Sequence, residues 1–233
     1  MHIPQFENNN EPIVDCNSKI VPLCYFNIIK LSAGEEFSYQ LSDYETCIVP
    51  ATGTIDVEVE GQAFKDVGKR NHIWESDPEG VYIPVNSKAR LLCQNGEAEV
   101  FVSGAKHNET YEPFVIRQND IDKVQYGSDD TKTHRKIKHI LGKNPAGKLL
   151  VSELFTVGEG GWSGFPPHKH ETDKLPDESR HNEVYNFRFN PSNGFGAQFL
   201  TPDGEDFGPV YHVRDGSTFI FDKGYHPCVA APG

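Results

Sequence analysis

The chain has no CxxC pair, no run approaching the ~20 apolar residues of a membrane span, and no stretch that keeps helical spacing for three turns. Its five cysteines, Cys16, Cys24, Cys47, Cys93 and Cys228, are scattered and odd in number, which argues against a disulfide framework and for a reduced, cytoplasmic setting. The opening MHIPQFENNNEP shows no basic head followed by an apolar run, so neither export nor membrane attachment is expected. Cations are also scarce. With 22 Lys and Arg against 34 Asp and Glu, the net charge of −12 repels polyphosphate backbones and anionic lipid, and nucleic acid is not an expected partner. The single basic cluster, Lys132, His134, Arg135, Lys136, Lys138 and His139, alternates with Ile137 and Ile140 and reads as the solvated face of a strand.

What is present is the material of short strands. Twenty-one Gly and 16 Pro punctuate β-rich segments such as CYFNIIKL, TIDVEVEG, GVYIPV and AEVFVSG, and the same grammar returns in HRKIKHILG, EVYNFRF, GFGAQFLT and STFIFDKG. In TIDVEV, Ile55, Val57 and Val59 alternate with Thr54, Asp56 and Glu58, so one face is read as buried and the other as wet. Residues 1–20 read as an irregular lead-in with one edge strand at Ile13 and Val14. The stretch 113–130 reads as a connector, with a brief helix near 120–126. The fold class is therefore all-β, as two small barrel or jelly-roll halves covering residues 1–115 and 116–233.

Chemistry concentrates at 161–189 and at Gly224-Tyr225-His226-Pro227. On a strand, the i, i+2 spacing of His168 and His170 puts both imidazoles on one face and turns Lys169 away. Glu183 opens EVYNFRF, whose alternation places it beside Tyr185, Phe187 and Phe189, with Arg188 outward. His226 sits in a turn between Gly224 and Pro227. Three imidazoles and a carboxylate suit a divalent transition metal, Zn²⁺, Mn²⁺, Fe²⁺, Co²⁺ or Ni²⁺, with zinc at the head of the list. Isolated histidines such as His181 and His212 read as surface groups, and Cys228 as a small core residue.

HxH, then Glu, then a Gly-x-His turn resembles the metal motif of the cupin superfamily, and two β halves resemble a bicupin. More closely, GWSGFPPHKH, NEVYNFRF, GFGAQFLT and GYHPCVAAPG resemble the bacterial 5-deoxy-glucuronate isomerase family of myo-inositol catabolism, as does GKRNHIWESDPEGVYIPV in the first half. The resemblance implies a metal held by His168, His170, Glu183 and His226, and aldose–ketose isomerisation of a small sugar acid, 5-deoxy-glucuronate, to 5-dehydro-2-deoxy-gluconate. It also implies that Gln198, in the family's Gly-Phe-x-x-Gln stretch, faces the cavity and touches substrate. The family pattern continues into a further strand past Gly233, so the second half is expected to lack its final strand or to be truncated. Where a cupin places its first HxH, this chain has Phe37-Ser38-Tyr39-Gln40-Leu41, so the first half is expected to be metal-free and to serve structure or contact within a homo-oligomer.

The isomerase reading assigns Tyr185 as a catalytic auxiliary on the inward face of its strand, and the acidic ETDKLPDES insert between the ligands as a lid. Two other readings stay open on the residues alone. Three His and one Glu also serve metal-dependent dioxygenases, and a cupin can bind sugar without catalysis.

Overall fold

The computed structural model describes residues 1–142, 147–158 and 160–232. A short β1 (His2–Ile3) precedes a first half made of β2 (Cys24–Ser32), β3 (Glu36–Gln40), β4 (Tyr44–Val59), β5 (Gln62–Arg70), β6 (Gly80–Ile83), β7 (Lys88–Leu92), β8 (Glu97–Lys106) and β9 (Phe114–Ile116). The second half holds β10 (Asp122–Tyr126), β11 (Arg135–Leu141), β12 (Val151–Thr156), β13 (Trp162–Ser163), β14 (Glu183–Asn186), β15 (Phe195–Phe199), β16 (Val210–Arg214), β17 (Thr218–Phe221) and β18 (Cys228–Ala230). Among the described residues the one helical element is a 3₁₀ turn at Gln118–Asp120. The brief helix read near 120–126 is thus corrected: Asp122–Tyr126 pairs with β11, because Val124 and Ile137 oppose each other across the register. No helix among the described residues is long and apolar enough to cross a membrane.

The central layer is the sheet β2-β8-β4-β6-β9, and its alternation explains the architecture. On β4, Tyr44 and Ile48 face the core of the first barrel with Val57 and Val59, while Cys47 and Val49 face the second half. The same split divides β2, with Tyr25, Ile29 and Leu31 inward and Phe26 and Ile28 outward. It also divides β6, with Val81 and Ile83 inward and Tyr82 outward. A sheet apolar on both faces must be covered on both. The outer face is covered by Ile121, Ile140, Leu141 and Leu149 of the second half, and by Ile220 of β17 packed on Phe26 and Ile28. Where the sequence suggests a wet face on TIDVEV, Asp56 is buried instead, its carboxylate taken by Lys65 at 2.8 Å and by the Asp66 amide at 3.0 Å.

The second half distributes its strands over three sheets, β10-β11-β12, β1-β17-β14 and β13-β18-β15-β16. Strand β18 is an inner strand, flanked by β13 and β15. The lead-in is more ordered than its composition suggests. Its first residues cross to the far half, where His2 and Ile3 pair with Phe219 and Thr218, and Val14 bridges Phe26. The division expected after residue 115 falls inside β9, which belongs to the first sheet through Val81 and Val115.

Polar groups also tie the halves together. Glu45, fully buried, accepts the Tyr82 hydroxyl at 2.6 Å and the amides of Gly147 at 2.9 Å, Lys148, and Leu149 at 2.7 Å. A Cβ on Gly147 would lie 2.5 Å from that carboxylate, so only glycine permits the approach. Arg70, 1% exposed, forms a two-pronged pair with Glu153 of β12. The predicted outward Arg188 is likewise engaged, bonded to Glu99 at 2.9 Å and laid over the Phe101 ring.

Removing the Glu45 acceptor leaves three amides, that of Leu149 buried, and a buried phenol without their partner. Glu45→Ala is expected to lower unfolding free energy by about 3–5 kcal/mol and Tyr82→Phe by about 1–2 kcal/mol, read from urea midpoints at constant slope.

Candidate metal centre

The segment carrying His168 and His170 is not a strand: it runs extended but unpaired between β13 and β14, since no neighbouring strand offers a ladder to it. The predicted consequence survives without the predicted cause. The ligand nitrogens of His168, His170 and His226 lie within 4.8 Å of one another, with His170 and His226 buried and His168 exposed. Glu183, first residue of β14 and paired with Phe221 of β17, presents Oε2 at 3.0 Å from His170 Nε2 and 3.4 Å from His226 Nε2. Lys169 turns away, as its parity requires, and is held by Glu171 and Glu178 at 3.1 Å each and Asp203 at 3.4 Å.

What fixes the imidazoles is backbone. His170 Nδ1 lies 2.9 Å from the carbonyl of His181, and His226 Nδ1 lies 2.8 Å from that of Gly224. A carbonyl only accepts, so each Nδ1 carries a proton; Nε2 of His226 is left with a free lone pair toward the centre, while Nε2 of His170 donates to Glu183 in the metal-free site and would give up that proton to take a metal. His226 Nε2 is fully buried with no hydrogen-bond partner. A buried, unpartnered nitrogen lone pair beside two more imidazoles and a carboxylate fits a divalent transition metal ion, which takes bare imidazole nitrogen and carboxylate oxygen. Among the described residues the three imidazoles of His168, His170 and His226 form the group that could hold an ion, and Glu183 stands beside His170 and His226.

The turn bearing His226 is pinned from several sides. Gly224 has φ +87°, and a Cβ there would meet the Thr201 carbonyl at 2.9 Å. Its amide donates to Glu171 at 3.0 Å, while Tyr225 and Thr201 exchange both backbone bonds. Gln198, with no exposure, donates its amide to the carbonyls of His226 at 2.9 Å, Pro227 at 3.1 Å and Phe199 at 2.9 Å. The sequence reading has Gln198 touching substrate. Its amino group is instead taken up beneath the ligand turn, and its Oε1 alone has no partner.

Tyr185 does share the face of Glu183. Its ring packs edge-on against Phe221 at 4.8 Å and Phe187 at 6.0 Å. Burial and then the Glu183 charge raise its pKa well above the ordinary phenol, with Arg135 pulling weakly the other way, so it is a hydrogen-bond donor and not a base at neutral pH. Burial and Glu183 also push the Cys228 thiol up to about 12, which keeps it a neutral core group facing Ser163.

The insert between the ligands is stapled. Glu178 accepts the amides of Glu171 at 2.6 Å and Thr172 at 2.8 Å, and its carboxyl pKa is held at about 2: burial opposes the charge, but those amides and Lys169 outweigh it. Two residues set aside in the sequence reading belong to the site. His181 stacks on His170 at 3.8 Å with an interplanar angle of 19°, and lends the carbonyl that orients it. Arg135 reaches the carbonyl of Phe165, three residues before His168. Its signal was visible only as parity with Ile137 on β11, which does not say which face is covered.

The KduI/IolB family matches residues 1–233. Similar proteins include the 5-deoxy-glucuronate isomerase of Geobacillus kaustophilus (strain HTA426), 32% identical over 210 residues, which make up 89% of this chain and 75% of that protein. That of Shouchella clausii (strain KSM-K16) is 31% identical over 218 residues, 91% of this chain and 79% of the relative. Among solved structures, an IolB-like protein from Salmonella typhimurium LT2 superposes with a TM-score of 0.84 over 91% of this chain and 79% of its own, at 27% identity. Oxalate decarboxylase from Lactobacillus farciminis, 9% identical with a TM-score of 0.55 over 91% and 73%, shares the fold.

Protonation sets a test of the centre. Burial lowers the His170 pKa but the Glu183 carboxylate more than compensates, leaving it above 6.5, so its stabilising effect is full below 6.5 and is lost as pH rises through the folded value. Glu183 is penalised by burial but held at about 2 by His170 and His226, below its ordinary 4.5, so its contribution is present above 4.5 and lost as pH falls toward 2. Without metal the pair is therefore strongest between pH 4.5 and 6.5. Metal binding needs bare Nε2 atoms and strengthens as pH rises. The rise in Tm on adding Zn²⁺ should grow between about pH 5.5 and about pH 8, measured by calorimetry; a pH-independent rise would contradict this ligand set.

Proposed function

The chain belongs to the KduI/IolB family, and on that premise we propose that it is an aldose–ketose isomerase converting 5-deoxy-glucuronate to 5-dehydro-2-deoxy-gluconate, with a divalent transition metal held by His168, His170, Glu183 and His226. The observation that carries the reading is the convergence of three imidazoles, with the Glu183 carboxylate beside two of them. When bound, such an ion supplies Lewis-acid polarisation of neighbouring carbonyl and hydroxyl oxygens, which acidifies the hydrogen on the adjoining carbon.

The isomerisation is a net transfer of hydrogen from C2 to C1 and of a proton from the C2 hydroxyl to the former carbonyl oxygen, with no change in overall oxidation state. The chain's own groups prepare the site for it. Glu183 is the anion against which the imidazoles are set. Tyr185, on the same strand face as Glu183, keeps its proton because burial and the Glu183 charge raise its pKa, and acts as a catalytic auxiliary and not as the base. Gln198 acts through the His226 turn as a positioning residue. The aromatic wall of Tyr185, Phe221 and Phe219 backs the site and limits water on that side. Residues 1–115 form the scaffold in this reading and 116–233 the catalytic half, with β1 shared between them; Gly233 lies outside the described residues.

Metal-loaded chain should convert 5-deoxy-glucuronate to its 2-keto isomer, followed by NMR of the sugar. His168→Ala should lower kcat/KM by at least about a thousandfold with metal content reduced, and Tyr185→Phe should lower activity or metal affinity about 10–100-fold. Full metal occupancy with no turnover of any uronate, or turnover that consumes oxygen, would overturn the assignment.

A further inference from the structure

The cations near the metal centre are not equivalent. Lys169 is surrounded by three carboxylates and turned from the imidazoles. Arg188 is paired with Glu99 on the far face of β14. Arg135 differs from both: among the described residues it has no acidic partner, although the chain carries 34 acidic residues against 22 basic ones.

Its guanidinium is nonetheless held in place. Nε donates to the Thr133 carbonyl at 3.2 Å and Nη2 to the Phe165 carbonyl at 3.2 Å, and Cζ lies 5.9 Å from the centre of the Tyr126 ring. Phe165 stands three residues before His168, and Ser163 pairs with Cys228 two residues past His226, so this anchorage ties Arg135 to the segment that leads into the metal centre. Its charge acts on both Tyr185 and Cys228. Two of its five N–H groups are used, both on neutral carbonyls, which leaves the Nη1 pair and one Nη2 hydrogen for a fork-shaped acceptor. Arg135 lies opposite Tyr126 and Thr156 in its sheet, and Tyr126 is half exposed, so the free N–H groups are reachable from solvent.

We propose that Arg135 is the specificity-determining residue that binds the carboxylate of the sugar acid, end-on through Nη1 and Nη2, while the other end of the sugar meets the metal centre. The assignment rests on the sugar-acid reading above and deepens it by naming what distinguishes a uronate from a neutral sugar. In a chain of net charge −12 an anionic substrate is repelled nearly everywhere. An unpaired arginine fixed by backbone is where that repulsion is reversed.

The test uses the Zn²⁺-loaded full chain and two probes of one shape, glucuronate and its neutral amide glucuronamide, with binding read by calorimetry and any turnover followed separately by NMR. Wild type should prefer the carboxylate by about tenfold or more, Arg135→Gln should bring the ratio near one with Zn²⁺ content unchanged, and Arg135→Lys should fall between. The proposal is overturned if wild type binds glucuronamide as tightly as glucuronate, if it binds neither, or if Arg135→Gln keeps the preference. Should Arg135→Gln not fold, the wild-type ratio and Arg135→Lys still decide. A preserved carboxylate preference without turnover of any uronate would sink the isomerase reading while upholding Arg135; turnover with an unchanged preference in Arg135→Gln would do the reverse.

Discussion

Two backbone carbonyls, those of His181 and Gly224, decide what the centre of this protein can be. By accepting from Nδ1 they turn Nε2 of two buried imidazoles toward the centre, and they set the ring planes at the same time. Had either carbonyl been turned away, the ring could rotate or shift its proton and Nε2 would no longer be aimed at the centre. Everything else in the second half serves to keep those carbonyls still. Gly224 is fixed by the Glu171 carboxylate, Tyr225 by Thr201, and the following carbonyls by Gln198. His181 is fixed by its own stacking on the ring it orients.

That rigidity is borrowed from the first half. A barrel with one open side cannot by itself hold a ligand set within a few tenths of an ångström, and here the open side is closed by the outer face of another barrel's sheet. Cys47, Val49 and Tyr82 pack on Ile140, Leu141 and Leu149, and Phe26 and Ile28 pack on Ile220, one strand position from Phe221 that faces Glu183. The first barrel itself is filled with apolar side chains, Ile48, Ile55, Leu91, Val100 and Val102 among them. Glu45 and Arg70 then fix register, because a buried carboxylate and a buried guanidinium are tolerable only where every partner is in place. β1 makes the exchange mutual by lending the first residues of the chain to the sheet that carries Glu183.

The residues that converge were legible because the imidazole cluster depends on residue type and near spacing. HKH, the strand-opening Glu183 and the Gly-bounded His226 are visible without any fold. The reason they meet was not legible in detail. His168 and His170 share a site without sharing a strand, since their orientation comes from contacts such as Glu171 to Gly224, 53 residues apart. Alternation announced the strands well, including both faces of β2 and β4, but could not tell a face exposed to water from a face pressed on the other half. That ambiguity made Arg188 and Arg135 look like surface cations. It also left the lead-in featureless, because β1 has only two residues and its partner lies more than 200 positions away. Asp122–Tyr126 was misread for a related reason: five residues with two strong apolar positions carry too little periodicity to separate turn from strand.

Charge placement then separates holding a metal from choosing a substrate. Lys169 stands next to two ligands in sequence, and its burial among Glu171, Glu178 and Asp203 removes a cation that would otherwise compete with the metal for Glu183. The same arrangement means Lys169 cannot serve an anionic substrate without leaving three carboxylates uncompensated. Arg135, bound only to carbonyls, has no such cost. A neutral sugar at this site would cover the guanidinium while leaving its outward N–H groups unpaired, whereas a carboxylate fills them, so discrimination arises from the penalty on the wrong ligand as much as from attraction of the right one.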